Sequence, residues 1–502
     1  MPTDRSPDRI AASISAKPAG FAGQPLGLCT LFFTEVWERF SYYGMRALLT
    51  LFIVAPIAGG GLGLGTVEAA RIYGNYTMAV YMLSIPGGFI ADRYLGAYRS
   101  VLIGGAIIAC GHFTLAIPTI EAFYAGLALV ALGTGLFKPN ISAMAGGLYA
   151  PEDERRDAGF SIFYMGVNLG AFFAPLVTGF LAQSPVFKEW LSTHGFDPAQ
   201  SWHWGFAAAG VGMTFGLLTF LRQRDRLAEV GRAPATVTAT WTSSLLVVAG
   251  TLAVMWLTVL SDDPRFQWLR AFFLLVPIAA IVWFARASDI DGRRFAAVFV
   301  FFIASMLFWA VFEQAGISIS LFGDQLTRKS LFGWSFPSAW YQALNALFVV
   351  MLAPIFAWAW LRLGPRQPTS PVKFVLGLTF LGLSFLLMVP ASLLTVQGQV
   401  SPLWLVALFF VQTVGELFLS PVGLSTMTKL APPNLVGLVL GVWFLAAAWG
   451  NKLAGILGGG YDGTDPHGLA IFFLQQAAML GVAAFVLLAL APWVNRLMGG
   501  VR

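Results

Sequence analysis

Residues 35–46 read EVWERFSYYGMR, two acids and two bases within twelve positions of an otherwise apolar stretch. On a helix turning about 100° per residue, Glu35 at 0° puts Glu38 near ~300°, Arg39 near ~40°, Tyr42 near ~340° and Arg46 near ~20°. All five share one stripe about 100° wide, while Phe33, Val36, Trp37 and Phe40 fall outside it. An ionised side chain facing lipid costs at least about 2.5–3.5 kcal/mol on insertion scales. If this helix crosses a membrane, the stripe must face protein interior or an aqueous cavity.

Composition says that it does cross one. The 502 residues are 57% hydrophobic and 11% charged. A soluble domain carries about 25% charged residues. The apolar residues fall in runs of about 20, the length needed to cross a bilayer. An all-α membrane protein follows, because only helices and closed barrels satisfy the backbone in lipid. The short alternating segments of a transmembrane barrel are absent from the sequence.

Fourteen spans are expected: 26–57, 68–91, 98–118, 120–145, 158–184, 202–222, 240–260, 267–286, 295–322, 338–362, 373–394, 401–430, 434–458 and 467–495. They divide the chain into a tail (1–25), a six-helix bundle (26–222) and a linker with two inserted helices (223–292). A second six-helix bundle (293–495) and a short tail (496–502) complete it. With both termini in the cytoplasm, 20 of the 30 Lys and Arg lie in cytoplasmic segments and 6 on the far side. That is the positive-inside bias, and it accounts for the net charge of +6 without nucleic acid. The first 25 residues hold no apolar core of a signal peptide. Cys29 and Cys110 form no disulfide framework, and the four histidines have no metal-binding spacing.

Two six-span halves around a basic insert point to a secondary transporter, with its site near the midplane between repeats. The segment GGFIADRYLGAYR (87–99) resembles the loop motif of the major facilitator superfamily. Its Asp92, Arg93 and Arg99 can pair at the cytoplasmic end.

Other spans carry polar residues that lipid would not tolerate. Lys138 lies in GTGLFKPNIS, Glu313 in FWAVFEQAGIS and Glu416 in QTVGELFLSP. Gln412, Glu416 and Ser420 share a helix face at i, i+4, i+8. Asn168 and Asn345 add neutral donors and acceptors. Arg46 and Lys138 place positive charge in the first half; Glu313 and Glu416 place negative charge in the second. A zwitterion with a carboxylate at one end and an ammonium at the other fits such a division. Without substrate, the same groups can pair as a gate. No nucleophile–base constellation stands out, so an enzyme is not expected.

EVWERFSYYGMR resembles the ExxERFxYYG signature of the proton-dependent oligopeptide transporter family. FYMGVNLGAF (163–172) is similar to that family's FYxxINxGSL, with Val167 for Ile and Ala171–Phe172 for the last two residues. GTGLFKPNIS, GELFLSPVGLS and GVWFLAAAWGN extend the resemblance over nearly the whole chain. The extra span pair is similar to that of prokaryotic members. The resemblance implies a proton symporter for di- and tripeptides in a bacterial inner membrane, with the proton as coupling ion and no cofactor; a monomer is the simplest expectation. It implies proton coupling at Glu35 and Glu38, tuned by Arg39 and Lys138, with Glu313 taking part. Arg46 and Lys138 would hold the peptide carboxylate, and Glu416, with Asn168 and Asn345, the amine. Tyr42, Tyr43, Tyr81, Trp309, Ser420 and Trp443 would line the cavity. Arg46–Glu313 and Lys138–Glu416 would be the gating pairs. Some members have a histidine where this chain has Gly74, so carboxylates must carry the coupling here. A carrier of nitrate or another anion, or a drug–proton antiporter, is the rival expectation; two acids in the second half argue for a substrate with an amine.

Overall fold

A computed structural model describes residues 19–21, 23–150, 153–227, 230–232, 241–266, 268–269, 292–431 and 436–499. Apart from 268–269, the expected span 267–286 lies outside these, as do most residues of the two tails. The long helices are α1 (Leu26–Val54), α2 (Thr66–Met82), α3 (Gly96–Leu115), α4 (Ile120–Gly146), α5 (Arg155–Gln183), α6 (Ser201–Arg222) and α7 (Trp241–Leu260). They continue as α8 (Gly292–Phe312), α9 (Ala343–Leu363), α10 (Ser370–Leu386), α11 (Leu403–Leu430), α12 (Val436–Gly458) and α13 (Pro466–Leu497). Among the described residues, ten segments are long and apolar enough to cross a membrane, one of them running from α2 through α3. α1 has the length, 29 residues, but is too densely charged to join that set.

Each expected span within the described residues corresponds to one of these helices, and three of the spans are interrupted. α2 stops at Met82 before a short helix, Ser84–Ile90, and α10 stops at Leu386 before another, Met388–Leu394. The break after α8 bears on function. Residues Glu313–Gly316 form a 3-10 turn, and a new helix, Ser318–Gln325, follows. A turn of this kind frees backbone carbonyls, which an apolar interior penalises. Side chains take them up: Thr50 Oγ1 donates to Gly316 O at 2.6 Å, and Gln342 Nε2 donates to Ala315 O. The helices run through Pro139 and Pro421.

The chain packs as two compact units. The first comprises residues up to Arg46 with 83–182 and 189–251; the second comprises 47–82, 183–188 and 252 onward. In the first unit, α1, α3, α4, α5 and α6 share a core that includes Leu31, Ile108, Phe137, Phe163 and Phe220. α3 and α4 lie close because Gly104 faces Gly133 and Gly111 faces Gly126; small residues let membrane helices approach to van der Waals contact. In the second unit, α2 packs on α12, and Met78, Met82 and Ala448 gather Val254 and Met255 of α7. α7 also packs, through Leu257 and Leu260, on Phe302, Met306 and Trp449 of α8 and α12.

Candidate functional site

The first unit buries the charged stripe of α1. Glu35 is 4% exposed, Glu38 is fully buried and Arg39 is 3% exposed. Arg39 Nε lies 3.1 Å from Glu35 Oε1, one helical turn away, and donates to Glu38 Oε2. Its guanidinium also sits over the ring of Tyr42, 5.2 Å from the centroid. Two carboxylates thus share one guanidinium. Glu35 Oε2, Glu38 Oε1 and Arg39 Nη2 are buried without a hydrogen-bond partner among the described residues. Lys138 of α4 is half-buried and lies in the electrostatic field of Arg39, Tyr43, Glu38 and Glu35.

Packing fixes this arrangement. Gly170 of α5 faces α1 so closely that a Cβ there would strike Val36 O and lie 2.9 Å from Arg39 Cβ. Gly212 and Gly216 of α6 admit Phe40 and Trp37 from another side. Asn168 is buried and donates to Tyr164 O of its own helix at 3.0 Å. Tyr43 stands edge-on to Tyr42, with ring centroids 5.3 Å apart. Arg46 lies over Tyr43, 5.7 Å from its centroid.

The second unit holds the two other glutamates. Asn345 of α9 donates to Glu416 Oε2 at 2.8 Å and to Thr413 Oγ1 at 3.0 Å, both on α11. Ser420 follows Glu416 by one turn and is half-buried. Glu313 is 2% exposed and accepts a hydrogen bond from Tyr73 Oη at 3.3 Å. Gln412, on the expected polar face of α11, donates to Phe312 O at 3.0 Å and supports the end of α8 beside Glu313.

The aromatic residues expected as lining differ in setting. Trp309 is half-buried and stands edge-on to Phe308 and Phe312. Its indole Nε1 has no hydrogen-bond partner among the described residues. Trp443 is buried with its ring against Gly423, where a Cβ would strike it. Tyr81 is half-buried beside Met78, Met82, Val254 and Met255.

Sequence reasoning missed Tyr73, Thr413 and a third buried ionic group. Lys452 Nζ of α12 donates to Asp262 Oδ1 at 2.8 Å and to Asn75 Oδ1 at 2.6 Å. The signal was present: a lysine within an apolar run needs a counter-ion. Asp263, next to it, behaves differently. Arg265 donates to both of its oxygens, and these hydrogen bonds hold its carboxyl down at about 2.

A many-helix chain that buries charge clusters among its apolar spans is a multi-pass membrane transporter of the major facilitator fold. The chain belongs to the POT family, whose model (PTR2) matches residues 98–462. It is 39% identical to "Peptide transporter YePEPT" of Yersinia enterocolitica subsp. palearctica, over 96% of this chain and 97% of that one. It is 37% identical to the "Di-/tripeptide transporter" of Lactococcus lactis subsp. cremoris, over 96% and 98%. Among solved structures, it superposes with a TM-score of 0.86 on a peptide transporter POT mutant in complex with alafosfalin. That match is 40% identical and covers 98% of this chain and 99% of the other.

Proposed function

We propose that this protein is a proton-coupled symporter that imports di- and tripeptides by alternating access. The observation that carries the reading is Glu35 and Glu38 sharing Arg39 in a buried site. Two acids so close titrate as a coupled pair. A proton on either one removes the excess negative charge and frees a basic partner. Arg46 and Lys138 then engage the peptide carboxylate, and Glu416, positioned by Asn345, receives the amine. Arg46–Glu313 and Lys138–Glu416 are the pairs made and broken as the gates alternate. The peptide character of the substrate is supported by relatives named as peptide and di-/tripeptide transporters that match nearly the whole chain.

In this reading the bundles are 26–222 and 293–495, with 223–292 inserted. The protein works as a monomer in a bacterial inner membrane with both termini cytoplasmic, and protons replace any cofactor. The test uses proteoliposomes with an imposed pH gradient and labelled dialanine. Glu38→Gln and Lys138→Ala should both lose accumulation; Glu38→Gln should still bind peptide, and Lys138→Ala should bind it more weakly, one of the two carboxylate partners being gone. Full accumulation in both variants would overturn the reading.

A further inference from the structure

The transport groups leave Lys452 unused, although it is 5% exposed within α12. An ammonium that deep must be paired or pay a large desolvation cost. Its partners come from two other segments. Nζ donates to both oxygens of Asp262, at 2.8 and 2.9 Å, and to Asn75 Oδ1 at 2.6 Å. Asn75 Nδ2 closes the triangle by donating to Asp262 Oδ2 at 2.8 Å. The Asp262 side chain is only 6% exposed. The amide therefore presents its carbonyl to the cation and its NH2 to the anion, and each member fixes the other two.

The three residues lie on different parts of the chain: α2, the turn that follows α7, and α12. They meet beside the closest approach of α2 and α12. A Cβ on Gly74 would lie 2.7 Å from Gly455 Cα, and one on Gly455 would lie 2.7 Å from Ala70 O. Gly74 adjoins Asn75, and Gly455 is three residues from Lys452. Tyr73, two residues before Asn75 on the same helix, is bonded to Glu313. In chain order α2 belongs to the first bundle and α12 to the second. A transporter that alternates access must part this seam when it opens on the side of the 261–266 turn.

We infer that Asp262 of the inserted segment is a gate residue: with Lys452 and Asn75 it latches α2 to α12 and stabilises the state closed on that side. The inserted span is thereby part of the transport cycle. It acts as a strut, braced by Val254, Met255 and Leu257, that delivers one carboxylate to the seam. The inference rests on the alternating-access reading above. Breaking one partner of a buried ion pair leaves the other uncompensated, so the closed state should lose population when Asp262 is neutralised. Under the proposed orientation the 261–266 turn is external, and the opening is outward.

The test reads accessibility directly. Thr77, fully buried on α2, is replaced by cysteine in a chain whose Cys29 and Cys110 are serine. A membrane-impermeant maleimide is added to intact cells. Asp262→Asn should raise the labelling rate about tenfold, and so should the uncharged pair Asp262→Asn with Lys452→Gln, which leaves no buried charge to hinder folding. The exchanged pair, Asp262→Lys with Lys452→Asp, should label close to the parent rate. Labelling within about twofold of the parent in the first two variants, or fast labelling of the exchanged pair, would overturn the latch. Labelling needs no substrate, so the two readings fail separately. Dialanine uptake without the labelling pattern removes the latch alone, and the labelling pattern without uptake removes peptide transport alone.

Discussion

Asn345 donates to one oxygen of Glu416, Oε2, at 2.8 Å. The same amide donates to Thr413 at 3.0 Å, so both of its hydrogens are committed and its orientation is fixed. A hydrogen bond to a charged group is worth about 1.5–3 kcal/mol. Asn345→Ala should therefore raise the half-saturating dialanine concentration by roughly tenfold or more and change the maximal rate less. Competition uptake across a concentration series checks this.

Gly170 predicts a stability effect. Its missing side chain lets α5 approach Val36 and Arg39 of α1. Gly170→Ala must push the helices apart or move Arg39, an overpacking that costs about 1–3 kcal/mol. Thermal unfolding of the detergent-purified variant should occur several degrees lower, and uptake should fall because Arg39 no longer bridges both acids. An unchanged melting temperature with normal uptake would show that the contact is relaxed without cost.

Much of this was legible in the sequence, and the remainder was hidden for identifiable reasons. The charged stripe of α1 could be read because helical period alone places Glu35, Glu38 and Arg39 together, and the structure pairs them. Helix positions could be read because membrane spans are set by apolar length. The 3-10 turn at Glu313 could not, since the groups that stabilise it, Thr50 and Gln342, come from distant segments. The same holds for Lys452 and Asp262, 190 positions apart. Hydropathy registers that a charge is buried and is silent about its partner. Gly170 sat inside a recognisable motif, but only packing shows that its neighbour is Arg39.

Proton coupling predicts a pH dependence with a definite sign. A carboxylate that must be protonated from outside is loaded more often as external pH falls. Dialanine uptake at fixed internal pH should therefore rise with external acidity. In Glu38→Gln position 38 is permanently neutral, so peptide counterflow, which needs no net proton movement, should persist. Its rate should be nearly flat over roughly pH 5 to 8, while the parent rate varies. Counterflow in Glu38→Gln that keeps the parent's pH profile would assign the coupled proton elsewhere, with Glu35 the next candidate.

The two ends of the peptide can be separated by capping each in turn. In the proposed binding mode, the ammonium of dialanine meets Glu416 and its carboxylate meets Arg46 and Lys138. Acetylating the amine removes the first attraction and leaves Glu416 facing a neutral amide. Amidating the carboxyl removes the second. Each change should weaken competition by roughly tenfold to a hundredfold, the range expected when one partner of a desolvated charge pair is lost. Glu416→Gln then supplies the decisive comparison. It should weaken dialanine by a similar factor and leave the N-acetylated peptide almost unchanged, because that peptide had no ammonium to lose. The two losses would then be non-additive, as expected for groups in direct contact. Equal losses for both peptides in Glu416→Gln would mean that the amine binds elsewhere, and the acid held by Asn345 would then serve the gate instead of the substrate.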